Sequence, residues 1–344
     1  MTRLWASVAV VTIAGQIAAT PRADPLEFFR PTVTITEAEQ RLLDRGEPIA
    51  RPLAAQGAEI AVFAAVPVAI DADRLVAWIE RIEALKKSSY VAAIHRFSDP
   101  PRLEDLADLT LERDDLDAIA ECRPGDCGVK LSADEMRTLS SLAADERQQA
   151  FRRLLLIRVT RYLAGGDIGP FDDRADAISP AQAFDSVLEH SAFLIRGMAE
   201  LAEALRRPPR PDSDAGSFLY WSKERIANKP IVIVTDVRVV RSDDPRRPAV
   251  LVAGKQIFWT HYLGASLAVT ALARGPSPAS NYLVYVNRSE VDALRGVFGG
   301  LIRWFAQRRL AGEAADVLRG LRMRLESGEP PAREVTDVAP RSAT

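Results

Sequence analysis

The chain has 344 residues, 47% hydrophobic and 27% charged, an ordinary globular composition with material for one large domain or two modest ones. Its 22 prolines and 19 glycines exclude collagen-like and broadly low-complexity classes. No internal apolar run reaches the roughly 18 residues of a membrane span. Forty-five basic residues against 47 acidic ones leave a net charge of −2, so no chain-wide field gathers nucleic acid.

The N-terminus reads as an export signal. Arg3 precedes an apolar stretch from Leu4 to Ala14, followed by the small and polar run Gly15 to Thr20. The expected leader is 1–19, cut after Ala19, with a cut after Thr20 as the second choice; the other reading is an uncleaved anchor. No cysteine follows the apolar stretch, which leaves a lipoprotein anchor unsupported. The expected location is a bacterial periplasm. Residues 20–57 read as an N-terminal arm with a short acidic helix from Glu37 to Asp44.

Ala58 to Ile70 is rich in Val and Ile and bounded by Gly57 and Asp71, which predicts a buried strand whose Pro67 marks an edge or an end. Asp71 or Asp73 then caps a helix in which Leu75, Ile79, Ile82 and Leu85 recur at helical spacing. Between 90 and 131, Val91 to Phe97 and Gly128 to Leu131 read as strands and Asp114 to Ala120 as a short helix. Cys122 and Cys127 are the only cysteines, and Pro124-Gly125 between them favours a type II turn that brings the sulfurs together. In an oxidising compartment they pair. The spacing differs from the Cys-x-x-Cys of redox dithiols, and none of the three histidines lies near enough in sequence to suggest a metal site.

Residues 132–207 read as an inserted helical hairpin. Ser132 with Glu135 opens the first arm, and Ser179, Pro180 and Gln182 open the second. A Pro-rich connector, 208–216, follows. Ile231 to Val240, Ala249 to Ala253, Lys255 to Leu263, Leu267 to Ala273 and Tyr282 to Asn287 are β-rich runs at short intervals, which predicts an antiparallel meander. Leu301 to Glu326 is a long amphipathic helix, and the tail 327–344 has little to bury. The expected class is α+β: an antiparallel sheet covered by the C-terminal helix, built from 58–131 and 217–326.

Catalytic signatures are absent from the sequence as local motifs: it has no Gly-x-Ser-x-Gly, phosphate loop, Gly-x-Gly-x-x-Gly or His-Glu-x-x-His. No cofactor or metal is expected. The acidic stretch Asp105 to Asp117 lacks calcium-loop order and reads as a solvated face. His261 stands in Trp259-Thr260-His261-Tyr262, where strand alternation puts Trp259 and His261 on one face. It is either a polar anchor in a cavity or a core histidine with one partner; His190 reads as solvated. Seven arginines lie between Arg295 and Arg324 against Glu313 and Asp316, with Trp304 and Phe305 interleaved. Such a helix suits peripheral contact with an anionic membrane, or packs its apolar stripe on the sheet and shows its guanidinium groups to water.

Three pieces of the chain, Ala58 to Ile70, Trp221 to Lys229 leading into Ile231 to Val240, and Gly300 to Glu326, resemble the helix-grip fold of the START-like lipid-transfer superfamily. That resemblance implies a curved sheet gripping the last helix around an apolar cavity. The leading expectation is an exported, non-enzymatic protein binding a hydrophobic or lipid-like ligand between sheet and C-terminal helix. Trp259, His261, Tyr262 and Tyr285 would line the site, and Trp304 and Phe305 would close it. An envelope scaffold docking through the helical hairpin or the basic helix is the second expectation, and an envelope hydrolase using His261 the third.

Overall fold

The computed structural model describes residues 24–331 except 176–178, 210–215, 227–228, 278–279 and 297–298; the expected leader and most of the tail and the connector lie outside these residues. The fold is α+β. Its strands are β1 (Ile49–Pro52), β2 (Glu59–Val68), β3 (Val91–Arg96), β4 (Phe218–Ile226), β5 (Lys229–Arg241), β6 (Val250–Trp259), β7 (Leu263–Ser277) and β8 (Ser280–Val291). They form one sheet in the order β1-β2-β8-β7-β6-β5-β4-β3, antiparallel throughout. The meander expected from the short turn-bounded runs is β5 to β8, with Ala249 to Ala253 and Lys255 to Leu263 joined through Gly254 into the single strand β6, and β4 adds a further strand before it. The N-terminal half supplies both flanks, β2 beside β8 and β3 beside β4, so the arm's β1 becomes an edge strand. Gly128 to Leu131, expected as a strand, has no ladder partner among the described residues. Pro67 sits beyond the last β1 pair, Ile49 with Ala65, where its missing N–H leaves no ladder bond to β1 unmade.

On one face lie α2 (Ala72–Ile79), α3 (Ile82–Lys86) and the 28-residue α10 (Gly299–Glu326). The single helix expected after Asp71 breaks between Ile79 and Ile82, so α2 and α3 carry the chain across the sheet from β2 to β3. Asp71 caps α2 through a 2.8 Å bond from the Arg74 amide. α10 lies along β1 and β2 through Gln307, Ala311, Ala314 and Leu318, at spacings of four and three residues, with Leu325 a further two turns on. Gln307 Nε2 donates to the carbonyls of Leu53 and Ala61 at 3.1 and 3.0 Å. At the far end, Arg324 donates to the carbonyls of Ala84, Leu85 and Lys87, locking α10 onto α3.

The other face carries α1 (Glu37–Asp44), α4 (Arg113–Glu121), α5 (Ala133–Ser140), α6 (Ala144–Leu163), α7 (Pro180–Glu189), α8 (Ala192–Gly197) and α9 (Ala199–Arg206). The two helical segments expected as hairpin arms, α5–α6 and α7–α9, pack on the sheet through separate cores. Phe151, Leu155 and Val159 of α6 meet Trp221, Val234 and Phe258. Phe184, Val187 and Leu188 of α7 meet Val269 and Val284. The second arm breaks at Ser191 and again at Met198, which lets it follow the curvature of the sheet. Cys122 and Cys127 form a disulfide with Cα atoms 4.5 Å apart. Gly125 takes a φ of +85° in the intervening turn, as a type II turn requires.

Candidate functional site

Between β8 and β4 lie β7, β6 and β5, a span of about 19 Å at four spacings of about 4.8 Å. Helices bridge it: α10 lies on β1 and β2, Arg324 ties α10 to α3, and Lys86 of α3 reaches Glu224 and Tyr220 on β4. The central strands between these supports form the floor of a hollow, with α10 along one side and α2–α3 across one end.

That floor is built from short and polar side chains. Registry places Gly254, Ala268 and Asn287 in one row, Gln256, Ser266 and Ser289 in the next, and Thr270 beside Tyr285. Gly254, Gln256, Ala268, Thr270, Tyr285 and Asn287 are half-buried, in a sheet whose opposite side is closed. A Cβ built on Gly254 would meet Thr235 Cγ2 at 3.3 Å and the Ala268 carbonyl at 3.8 Å, with no helix atom within 4 Å among the described residues. The hydroxyls of Ser266 and Ser289 bond at 2.8 Å, and Asn287 bonds to both. Gln256 Oε1 is buried and has no partner among the described residues, an uncompensated acceptor beside the floor.

One ion pair lies at the β4 side of the hollow. Lys86 Nζ stands 2.5 Å from Glu224 Oε1 and 3.1 Å from Tyr220 Oη, and the Ser222 hydroxyl donates to Glu224 at 2.6 Å. Burial disfavours the Lys86 ammonium, but Glu224 and Tyr220 outweigh it and raise its pKa above the ordinary lysine range. Burial likewise disfavours the Glu224 carboxylate, and Lys86 and Ser222 reverse that, holding it below its usual value. Tyr285, lacking such a partner, is pushed up to about 12 by burial. The hollow's lysine is thus already neutralised.

The residues singled out from the sequence fall in separate places. Tyr285 lines the hollow. Trp259 is on the same face by register with Ile233, but is buried among Ile231, Ile233 and Leu263. His261 leaves the sheet and is buried against α4, its Nε2 3.1 Å from Asp115 Oδ1. Asp115 also takes the Lys229 ammonium at 2.9 Å. Burial raises the Asp115 pKa, but the His261 and Lys229 bonds prevail and bring it below its ordinary value. Tyr262 is exposed with φ at +71°, in the left-handed region. Trp304 and Phe305 are exposed on the outer side of α10: five turns separate Trp304 from Arg322, which reaches outward to the Gly46 carbonyl. The flank towards α2–α3 is marked by Arg324, with Ala306, Leu310 and Val317 in line at spacings of four and seven residues.

Sequence reasoning missed Lys86, Glu224 and the small floor residues. The alternation of polar residues in β6 to β8 was a usable signal, because Gln256, Ser266, Asn287 and Ser289 share one face.

A second concavity, of about 830 Å³, opens on the other face, where the start of β2 and the end of β8 meet α7. Glu59 and Glu290 are direct cross-strand partners there. Glu59 accepts from Arg288 Nη1 at 2.8 Å, and its other oxygen lies 2.9 Å from His190 Nδ1, off the line of a hydrogen bond. His190 is thus half-buried beside a carboxylate rather than solvated. Glu290 pairs with Arg295. Burial, with smaller contributions from Asp292 and Glu59, raises the Glu290 pKa against the pull of Arg295. No group of His, Cys, Asp and Glu among the described residues is arranged to hold a metal ion. Neither a protein-family model nor a curated protein sequence matches the chain.

Proposed function

We propose that the protein is a binding protein for a small amphiphile, held in the hollow between the sheet and α10. The half-buried floor of Gly254, Gln256, Ala268, Thr270, Tyr285 and Asn287 carries this reading. A pocket with apolar walls and a few convergent polar groups is the usual form of a small-molecule site. Here Phe218, Val237 and Leu310 supply apolar surface, and Gln256, Asn287 and Thr270 supply hydrogen bonds. The ligand's head should be uncharged, an alcohol, amide or ester, because Lys86 is matched by Glu224 and no further charge is compensated. The disulfide is compatible with work outside the reducing cytosol.

Native mass spectrometry of the purified protein, followed by solvent extraction, tests this. A bound uncharged amphiphile is expected, lost in Ala268→Phe, whose ring would occupy the floor. A protein that arrives empty and fails to bind monoacylglycerol would overturn the reading. So would an Ala268→Phe variant that folds and still carries the ligand.

The cleft at Glu59 and Glu290 supports a second reading, a subsite for a small neutral hydroxylated molecule. Each carboxylate there already has its own arginine, and Gln56, Ser186 and His190 are left to exchange hydrogen bonds. Line broadening of N-acetylglucosamine signals that is absent in His190→Ala would support it; equal broadening with both proteins would count against it.

A further inference from the structure

The first two turns of α10 expose Leu301, Ile302, Trp304 and Phe305 at 59, 42, 48 and 60%. Four large apolar side chains at neighbouring positions are more than the scattered exposure of an ordinary surface. The turn bearing them is held in place: Arg303 donates to the Ala55 and Gly57 carbonyls of the loop between β1 and β2. Trp304 and Phe305 meet edge to face with centroids 4.7 Å apart, and the Arg308 guanidinium lies 4.3 Å over the Trp304 ring. From Gly299 to Gly312 the helix carries Arg303, Arg308 and Arg309 and no acidic residue. Arg308 forms no ion pair among the described residues.

We infer that this turn of α10 is a docking surface for an anionic lipid bilayer. Trp304, Phe305, Leu301 and Ile302 enter the boundary between headgroups and acyl chains, while Arg308 meets phosphate; Arg309 is paired with Glu313 at 2.8 Å. Charge complementarity selects this occupant: exposed aromatics beside Arg308, which lacks an acidic partner among the described residues, and beside Arg309, whose exposed pair with Glu313 is a weak one, have the composition of an interfacial anchor. Leu301, Trp304 and Phe305 lie off the flank marked by Ala306, Leu310 and Val317, and Ile302 alone continues that flank, so the aromatic pair is independent of what the hollow binds.

Co-sedimentation of the full chain with vesicles tests it. Binding is expected to mixed phosphatidylglycerol and phosphatidylcholine vesicles, to weaken at high salt, and to be slight with phosphatidylcholine alone. Trp304→Ser with Phe305→Ser should lower the partition coefficient roughly tenfold or more, by removal of two interfacial aromatics. Arg308→Glu should lower it on anionic vesicles only. Both variants change exposed positions, and their circular dichroism should match the parent. Trp304 fluorescence should be quenched by brominated acyl chains. Absence of binding to anionic vesicles would overturn the inference, as would unchanged binding by the aromatic variant. Self-association in solution, abolished by the same substitutions, would overturn it in favour of a second copy of the chain as occupant.

Discussion

Replacing Lys86 by Met tests whether β4 and α3 close the hollow as described. The ammonium is held by Glu224 and Tyr220, and its removal leaves the Glu224 carboxylate with Ser222 as its remaining bond. Stranding a fully buried charge costs about 3–5 kcal/mol, and losing an exposed pair costs about 0–1 kcal/mol. The two side chains are 29 and 22% exposed, between those limits, so about 2 kcal/mol is expected. Glu224→Leu alone should cost a similar amount, while the double variant, having no stranded charge, should recover much of the loss. Urea unfolding of the four proteins yields the coupling directly.

The pH dependence carries the same information. Glu224 has its pKa lowered in the fold, so its contribution is complete above about pH 4.3 and fades as pH falls through the folded value. Lys86 has its pKa raised, so its contribution is complete below about pH 10.4 and fades as pH rises further. The difference between parent and double variant should be flat between those limits and narrow outside them. A coupling energy near zero, or a slope at neutral pH, would refute the placement of this pair.

Lys255 is pushed down to about 8 by burial, so it binds protons more weakly folded than unfolded. Stability should therefore rise between pH 8 and 10 by up to about 3 kcal/mol, and Lys255→Met should abolish that rise in denaturant titrations. Glu290 has its pKa raised, so stability should fall as pH climbs above about 4.3, and Glu290→Gln should flatten that limb. Replacing both Cys122 and Cys127 by Ser frees a loop whose ends are five residues apart, with an expected cost of about 2 kcal/mol from chain entropy, read as a drop in unfolding free energy under non-reducing conditions.

The β5 to β8 meander and the C-terminal helix were legible because their signals are local, though Gly254, which reads as a turn, lies inside what is one strand, β6. Turn residues fall at short intervals between alternating runs, and α10 repeats its buried positions every three or four residues. The disulfide was legible from Pro124-Gly125 for the same reason. What escaped is non-local. Lys86 reads as a helix-end lysine suited to the dipole, and only the crossing of α2–α3 to β3 delivers it to Glu224, 138 residues on. His261 alternates correctly with Trp259, but the strand ends at Trp259, and Asp115 then captures the ring. Trp304 and Phe305 sit on a helix with a sound apolar stripe, yet the stripe begins at Gln307, so aromatic composition alone did not reveal which way they face.

The hollow itself follows from the side-chain sizes on the two faces of the same strands. On β6 and β7 the inner face carries Gly254, Gln256, Ser266 and Ala268, while neighbouring outer positions carry Ile257, Leu267 and Val269, which pack under α6 and α7. A sheet bends towards the face with less to accommodate. Irregularities in the ladder between Val234 and Thr235, between Leu263 and Ala265, and between Ala273 and Ser277 add local twist around this floor. Large residues at the inner positions would wedge the hollow open and bring the Tyr285 phenol into water. The Tyr285 phenol is therefore the reporter of that opening: pushed up to about 12 by burial in the parent, against the pull of Lys86, it should titrate nearer 10 in an Ala268→Phe protein whose hollow has opened to water. If instead the ring fills the hollow without opening it, the phenol should stay at its raised value while ligand is lost.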